Sequence, residues 1–173
     1  MELRERARAV RLAIFDVDGV LTDGTLYFGP DGEAMKAFNI LDGHGVKMLQ
    51  QAGIATAIIS GRDSAAVTHR AKELGIGHVC QGISDKIAAF EALAKKVGVG
   101  PEQCAYVGDD LPDLPVMRRC GLAVAVCNAV EAVKRCAHYV TRAHGGRGAV
   151  REFSEMVLEA RGQLGEDPAV QRA

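Results

Sequence analysis

Leu12-Ala13-Ile14-Phe15 runs directly into Asp16-Val17-Asp18-Gly19-Val20, and this junction decides the fold. The apolar run is too short for a helix and carries no polar residue. Such a run suits a strand buried on both faces, as in a parallel sheet. In an extended chain, residues i and i+2 point to the same side, so Asp16 and Asp18 face one spot where the strand ends. Gly19 permits a sharp turn away. Two adjacent acids are costly unless a cation or a proton separates them. Taken alone, the pair also fits an acidic turn.

Similar apolar runs recur at 54–59, His78–Cys80, 105–107, 122–126 and Tyr139–Val140. Helical patterns at 43–51, 64–74, Lys86–Val97, 114–119 and 129–135 alternate with them, and Ala149–Arg161 closes the series. Strand and helix in alternation predict an α/β fold, a Rossmann-like parallel sheet sandwiched by helices with right-handed crossovers. One segment, 22–40, breaks the alternation. There Leu26-Tyr27-Phe28 and Met35-Lys36-Ala37-Phe38 flank Gly29-Pro30-Asp31-Gly32, which reads as a small β-hairpin inserted after strand one. That places the hairpin at the carboxyl edge of the sheet, where open α/β folds keep their sites. Residues 1–161 are expected to form a single domain and 162–173 a flexible polar tail.

The chain has 173 residues, enough to bury a core without disulfides or a structural metal. With 48% hydrophobic and 25% charged residues it is globular in composition, which excludes disorder as the main state. A net charge of −1 argues against binding nucleic acid or anionic membrane by bulk charge. No apolar run approaches a membrane span, and residues 1–11 are charged rather than signal-like. Five cysteines without C-x-x-C spacing, an odd number, suggest reduced thiols and a cytoplasmic location.

Three further strand ends carry chemistry. Ser60-Gly61-Arg62 offers a hydroxyl and backbone N–H donors that can cradle an oxyanion, although Ser60 or Ser64 could equally cap the next helix. Lys86 opens a helix against its dipole, which favours an anionic partner nearby. Gly108-Asp109-Asp110-Leu111-Pro112-Asp113 sets three carboxylates at a strand end, oxygen ligands suited to Mg²⁺. Ser60 follows Asp16 by 44 residues, Lys86 follows Ser60 by 26, and Asp109 follows Lys86 by 23. The last two spacings each fit one compact βα unit, and the first exceeds them by roughly a hairpin. Together these ends supply a nucleophile, a proton carrier, a hydroxyl, a cation and metal ligands, a set for phosphoryl transfer through an aspartyl-phosphate.

In order and strand context, Asp16 to Val20, Ser60, Lys86 and Gly108 to Asp110 resemble the four motifs of the haloacid dehalogenase-like phosphohydrolases. The segments 15–24, 38–39, 42–45, 59–62 and 145–152 sharpen this into a resemblance to the 3-deoxy-D-manno-octulosonate 8-phosphate phosphatase family over nearly the whole chain. The resemblance implies that no large cap domain is present, and that the hairpin and neighbouring subunits of a homotetramer close the site. It implies a phosphorylated sugar-acid substrate, in lipopolysaccharide precursor synthesis. By the same resemblance Asp16 is the nucleophile and Asp18 the acid and base. Mg²⁺ would be held by Asp16, the Asp18 carbonyl and Asp109, and the phosphoryl oxygens by Ser60 and Lys86. The substrate-binding set would be Asp18, Asn39, Asp42, Gly43, Lys47, Gly61, Arg62, Arg70 and Lys86. Arg62 and Arg70 would share a helical face if the helix began at once. His44 is read as structural, and the 145–148 loop as able to approach a ligand or another subunit. The rival readings are a nonulosonate 9-phosphate phosphatase and, more distantly, a phospho-receiver domain. In the receiver, the acid pair would precede the phosphorylated Asp.

Overall fold

In the computed structural model, which describes residues 1–165, six parallel strands form one sheet in the order β5-β4-β1-β6-β7-β8. These are β1 (Leu12–Phe15), β4 (Ala55–Ile59), β5 (His78–Cys80), β6 (Cys104–Gly108), β7 (Leu122–Ala125) and β8 (Tyr139–Val140). The central strands β1, β6 and β7 are buried at every residue, as their unbroken apolar sequences require of strands covered on both faces. β2 (Tyr27–Gly29) and β3 (Gly32–Met35) form the separate antiparallel hairpin.

Among the helices, α1 (Leu3–Ala9), α2 (Ile40–Gln51) and α7 (Ala149–Arg161) pack together, and α4 (Lys86–Val97), α5 (Leu114–Met117) and α6 (Glu131–Cys136) form a second group. α3 (Ala65–Leu74) lies beside α2. Phe153 of α7 meets Phe15 of β1 edge-on, ring centroids 5.9 Å apart, and ties the closing helix to the strand that ends in Asp16.

The charged N-terminal stretch forms α1, whose Ala7 is fully buried against the core, so one apolar face sufficed to dock it. Two local readings need correction. The second hairpin strand is Gly32–Met35 rather than 35–38, because Gly32, at φ +112°, completes a tighter turn. α2 begins at Ile40 rather than 43, since the Asn39 side chain accepts the Leu41 and Asp42 N–H groups as its N-cap. Most of the expected tail, 166–173, lies outside the described residues.

Candidate active site

The register of β1 against its two neighbours builds the site. Phe15 pairs with Ile58 on one side and Val107 on the other. The residues that follow the three strand ends therefore emerge together: Asp16 after β1 in the centre, Ser60 after β4 and Asp109 after β6. The Asp16 N–H still donates to the Val107 carbonyl at 3.0 Å, so Asp16 is the last residue held by the ladder. Gly19, at φ +85°, turns the chain away, and a Cβ there would lie 2.0 Å from Asp109 Oδ2. Any other residue at 19 would push Asp109 out of the cluster.

Lys86 enters from the start of α4, whose first turn is capped by Asp85. Its ammonium lies 2.8 Å from Asp16 Oδ2 and 2.7 Å from Asp113 Oδ1. Burial alone would lower the Lys86 pKa, but Asp16 and Asp113 outweigh it and hold it raised. Asp113 is completely buried. Its Oδ1 accepts from Lys86 and from Tyr106 OH, and its Oδ2 from the N–H groups of Asp109 and Asp110. With both oxygens occupied by donors, Asp113 braces Lys86 and the Asp109 loop. Burial, then the Asp113 charge, pushes the Tyr106 hydroxyl pKa well up.

The carboxylates Asp16, Asp109 and Asp113 bring oxygens within 4.8 Å of one another. Burial, then neighbouring acids, raises Asp16 to about 6 and Asp109 to about 7. Three carboxylates against the single ammonium of Lys86 leave two negative charges on hard oxygen donors. A divalent cation fits that deficit in charge and in ligand type.

A cleft of about 500 Å³ opens above the cluster, and Asp16, Asp18, Ser60, Gly61, Arg62, Lys86 and Asp109 are among the residues lining it. The other expected binding residues lie elsewhere in the chain. Asp42 is 1% exposed, and its carboxylate accepts the Gly148 and Arg151 N–H groups at the start of α7. It caps a helix instead of facing the cleft. Asn39 caps α2, and Lys47 donates to the Glu73 carbonyl. Arg70 pairs with Glu73 and donates to the Asn39 carbonyl, lying against Gly43 where a Cβ would come within 2.3 Å of its Nη2. Arg62 and Arg70 do not share a helical face, because extended Ser64, at φ −151°, delays α3 to Ala65.

The hairpin leans over the cleft. Lys36, just past β3, reaches Asp18 Oδ1 at 2.5 Å and Glu33 Oε2 at 3.0 Å. Glu33 accepts from the Ser64 hydroxyl, while Arg62 lies 3.9 Å from Asp18 and 6.0 Å over the Phe28 ring. The Asp18 carboxylate thus faces the hairpin, not the acid cluster. The glycine loop at 145–148 packs on the loop after Asp18 of its own chain: the Gly146 N–H donates to the Val20 carbonyl and Arg147 meets Asp23.

Sequence reasoning missed Lys36, Glu33, Tyr106 and the bracing role of Asp113. Asp113 carried a signal, as the third acid of its strand end. Lys36 and Glu33 carried none, because a hairpin's lean is not written in local pattern.

A haloacid dehalogenase-like hydrolase family model matches residues 78–153. The 3-deoxy-D-manno-octulosonate 8-phosphate phosphatase of Escherichia coli K12 is 50% identical over 161 residues, 93% of this chain and 86% of that protein. The chain belongs to the haloacid dehalogenase-like hydrolases. Among these hydrolases, a probable phosphatase from Pseudomonas syringae is 54% identical at TM-score 0.95, covering 99% of this chain and 97% of that one. The Moraxella catarrhalis 3-deoxy-D-manno-octulosonate 8-phosphate phosphatase, solved with magnesium, phosphate and KDO, is 43% identical at TM-score 0.94 over 98% of this chain and 97% of that one. Family and relatives make this hydrolase a phosphoric monoester hydrolase.

Proposed function

We propose that the protein hydrolyses 3-deoxy-D-manno-octulosonate 8-phosphate to the free sugar acid and phosphate. The observation that carries this reading is the convergence of Asp16, Ser60, Lys86 and Asp109 at one sheet edge, in a chain half identical to phosphatases of that name. Asp16 attacks phosphorus and forms an aspartyl-phosphate. Asp18 gives its proton to the departing ester oxygen, then takes one from the water that cleaves the acyl phosphate. Ser60 and Lys86 hold phosphoryl oxygens, and Asp113 keeps Lys86 aimed at them. Asp16, the Asp18 carbonyl and Asp109 would hold Mg²⁺. Bound there, the cation would offset the charge of the acids and of the phosphoryl group.

Arg62, at the mouth, takes the substrate carboxylate, since its planar fork matches that group. Residues 1–161 act as one catalytic domain. The active form is a homotetramer: Phe28 is 63%, Met35 60% and Ile40 79% exposed, a surface beside the cleft that another copy would cover. In such an assembly Asn39, Lys47 and Arg70, which keep exposed surface, would serve substrate through a neighbour's site, whereas Asp42 and Gly43 are buried under α7 and Arg70. Five free thiols suit the cytoplasm, and no helix among the described residues is long and apolar enough to cross a membrane.

The test is a panel of sugar-acid phosphates with purified protein and Mg²⁺. The 8-phosphate of the octulosonate should show the highest kcat/KM; a higher value for a nonulosonate 9-phosphate would reassign the substrate.

A further inference from the structure

We propose that Lys36 is the positioning residue for Asp18. This rests on the reading of Asp18 as the group that protonates the leaving oxygen. Asp18 lies in a turn, outside the strand ladder that fixes Asp16. Among the described residues, the only side-chain hydrogen bond to its carboxylate comes from Lys36, at 2.5 Å. Arg62 stands off at 3.9 Å on the other oxygen. Asp18 therefore owes its orientation to the hairpin.

The Lys36 side chain is 1% exposed, although it sits on a hairpin whose apolar residues are largely in water. Hiding an ammonium is costly unless carboxylates replace its water. Asp18 and Glu33 do so at 2.5 and 3.0 Å. Glu33 is anchored across the cleft mouth by the Ser64 hydroxyl. Ser64, Glu33, Lys36 and Asp18 form a continuous chain of polar contacts from the start of α3 to the proposed acid. Lys36 cannot swing away without stranding its own charge, and Asp18 cannot turn without losing its donor. Proton delivery requires the carboxyl within hydrogen-bond reach of the ester oxygen, so a loosened Asp18 loses rate where the leaving group needs its proton.

An alkyl phosphate leaves as a strongly basic alkoxide and needs that proton, whereas p-nitrophenyl phosphate leaves as a stable phenolate and needs it little. The experiment measures kcat/KM for glycerol 3-phosphate and p-nitrophenyl phosphate with Mg²⁺, in wild type, Lys36→Met, Lys36→Gln and Lys36→Arg. Both esters lack a carboxylate, so the result does not depend on the sugar-acid assignment. Their ratio does not depend on the fraction of folded enzyme. Lys36→Met and Lys36→Gln should lower the alkyl-to-aryl ratio by about tenfold or more, and Lys36→Arg should restore most of it. A proportionate fall on both esters, or no recovery with Arg, overturns the assignment. Wild-type protein that hydrolyses neither these esters nor any sugar-acid phosphate of the panel overturns the phosphatase reading and this assignment with it.

Discussion

The carboxyl edge of the sheet and the stretch from the hairpin into α2 carry similar side chains but hold them by different means. At the edge, Asp16, Asp109, Asp113 and Lys86 are placed by strand register and by mutual contacts under cover. In the hairpin, Glu33 and Lys36 are held by polar contacts across a cleft, with apolar neighbours facing water. Buried charges have one arrangement that satisfies them all, whereas a two-stranded hairpin is marginal by itself. The Asp16 cluster is thus built into the core, while Asp18 and Arg62 are held by parts that depend on neighbours.

The strongest way to break this division is at Asp16. Asp16→Asn would replace the proposed nucleophilic oxygen with an amide and weaken the proposed metal ligand. It should cost on the order of 10⁴ or more in kcat, read by steady-state assay; activity within tenfold of wild type would contradict the assignment.

Removing metal comes next. Chelation should lower turnover by about 10² or more, with Mg²⁺ restoring it; full activity after exhaustive EDTA would end the metal reading. A stability signature accompanies it. Asp16 and Asp109 titrate near 6 and 7 when folded, against an ordinary value of 3.8. Between about pH 4 and 7 the folded metal-free protein binds more protons than the unfolded chain. Its stability should therefore fall as pH rises through that window and stay low above it. Saturating Mg²⁺ at pH 7.5 should raise Tm by about 5–10 °C. An identical Tm with and without Mg²⁺ would show that the acid cluster does not gain a cation.

Arg62 sharpens the comparison on the recognition side. Arg62→Ala should lower kcat/KM on the sugar-acid phosphate about 10- to 150-fold more than on a small aryl phosphate. Equal losses on both would move Arg62 into phosphate binding or the fold.

The smallest effect is expected at Asp42. Asp42→Ala strips an acceptor from the first N–H groups of α7 and should cost about 1–3 kcal/mol, a Tm drop of several degrees. An unchanged melt would show that these two bonds do not hold the start of α7.

The sequence alone determined the parallel α/β sheet, the hairpin after strand one and the cluster of strand-end residues. Each follows from a local rule. Unbroken apolar runs bury on both faces, and every parallel strand ends at the same edge, so the residue after each run must converge there. Tertiary structure decided what the remaining polar residues do. Asp42 and Asp113 look alike in sequence, acids near helix starts, yet one caps α7 and the other braces Lys86. Arg70 looked like Arg62 until the delayed start of α3 sent it back over Gly43. Lys36 became a partner of Asp18 only when the hairpin leaned across the cleft. A strand's period constrains which side a residue faces, but the partner of a long charged side chain is set by what folds against it. That is a contact between distant segments, which no local pattern encodes.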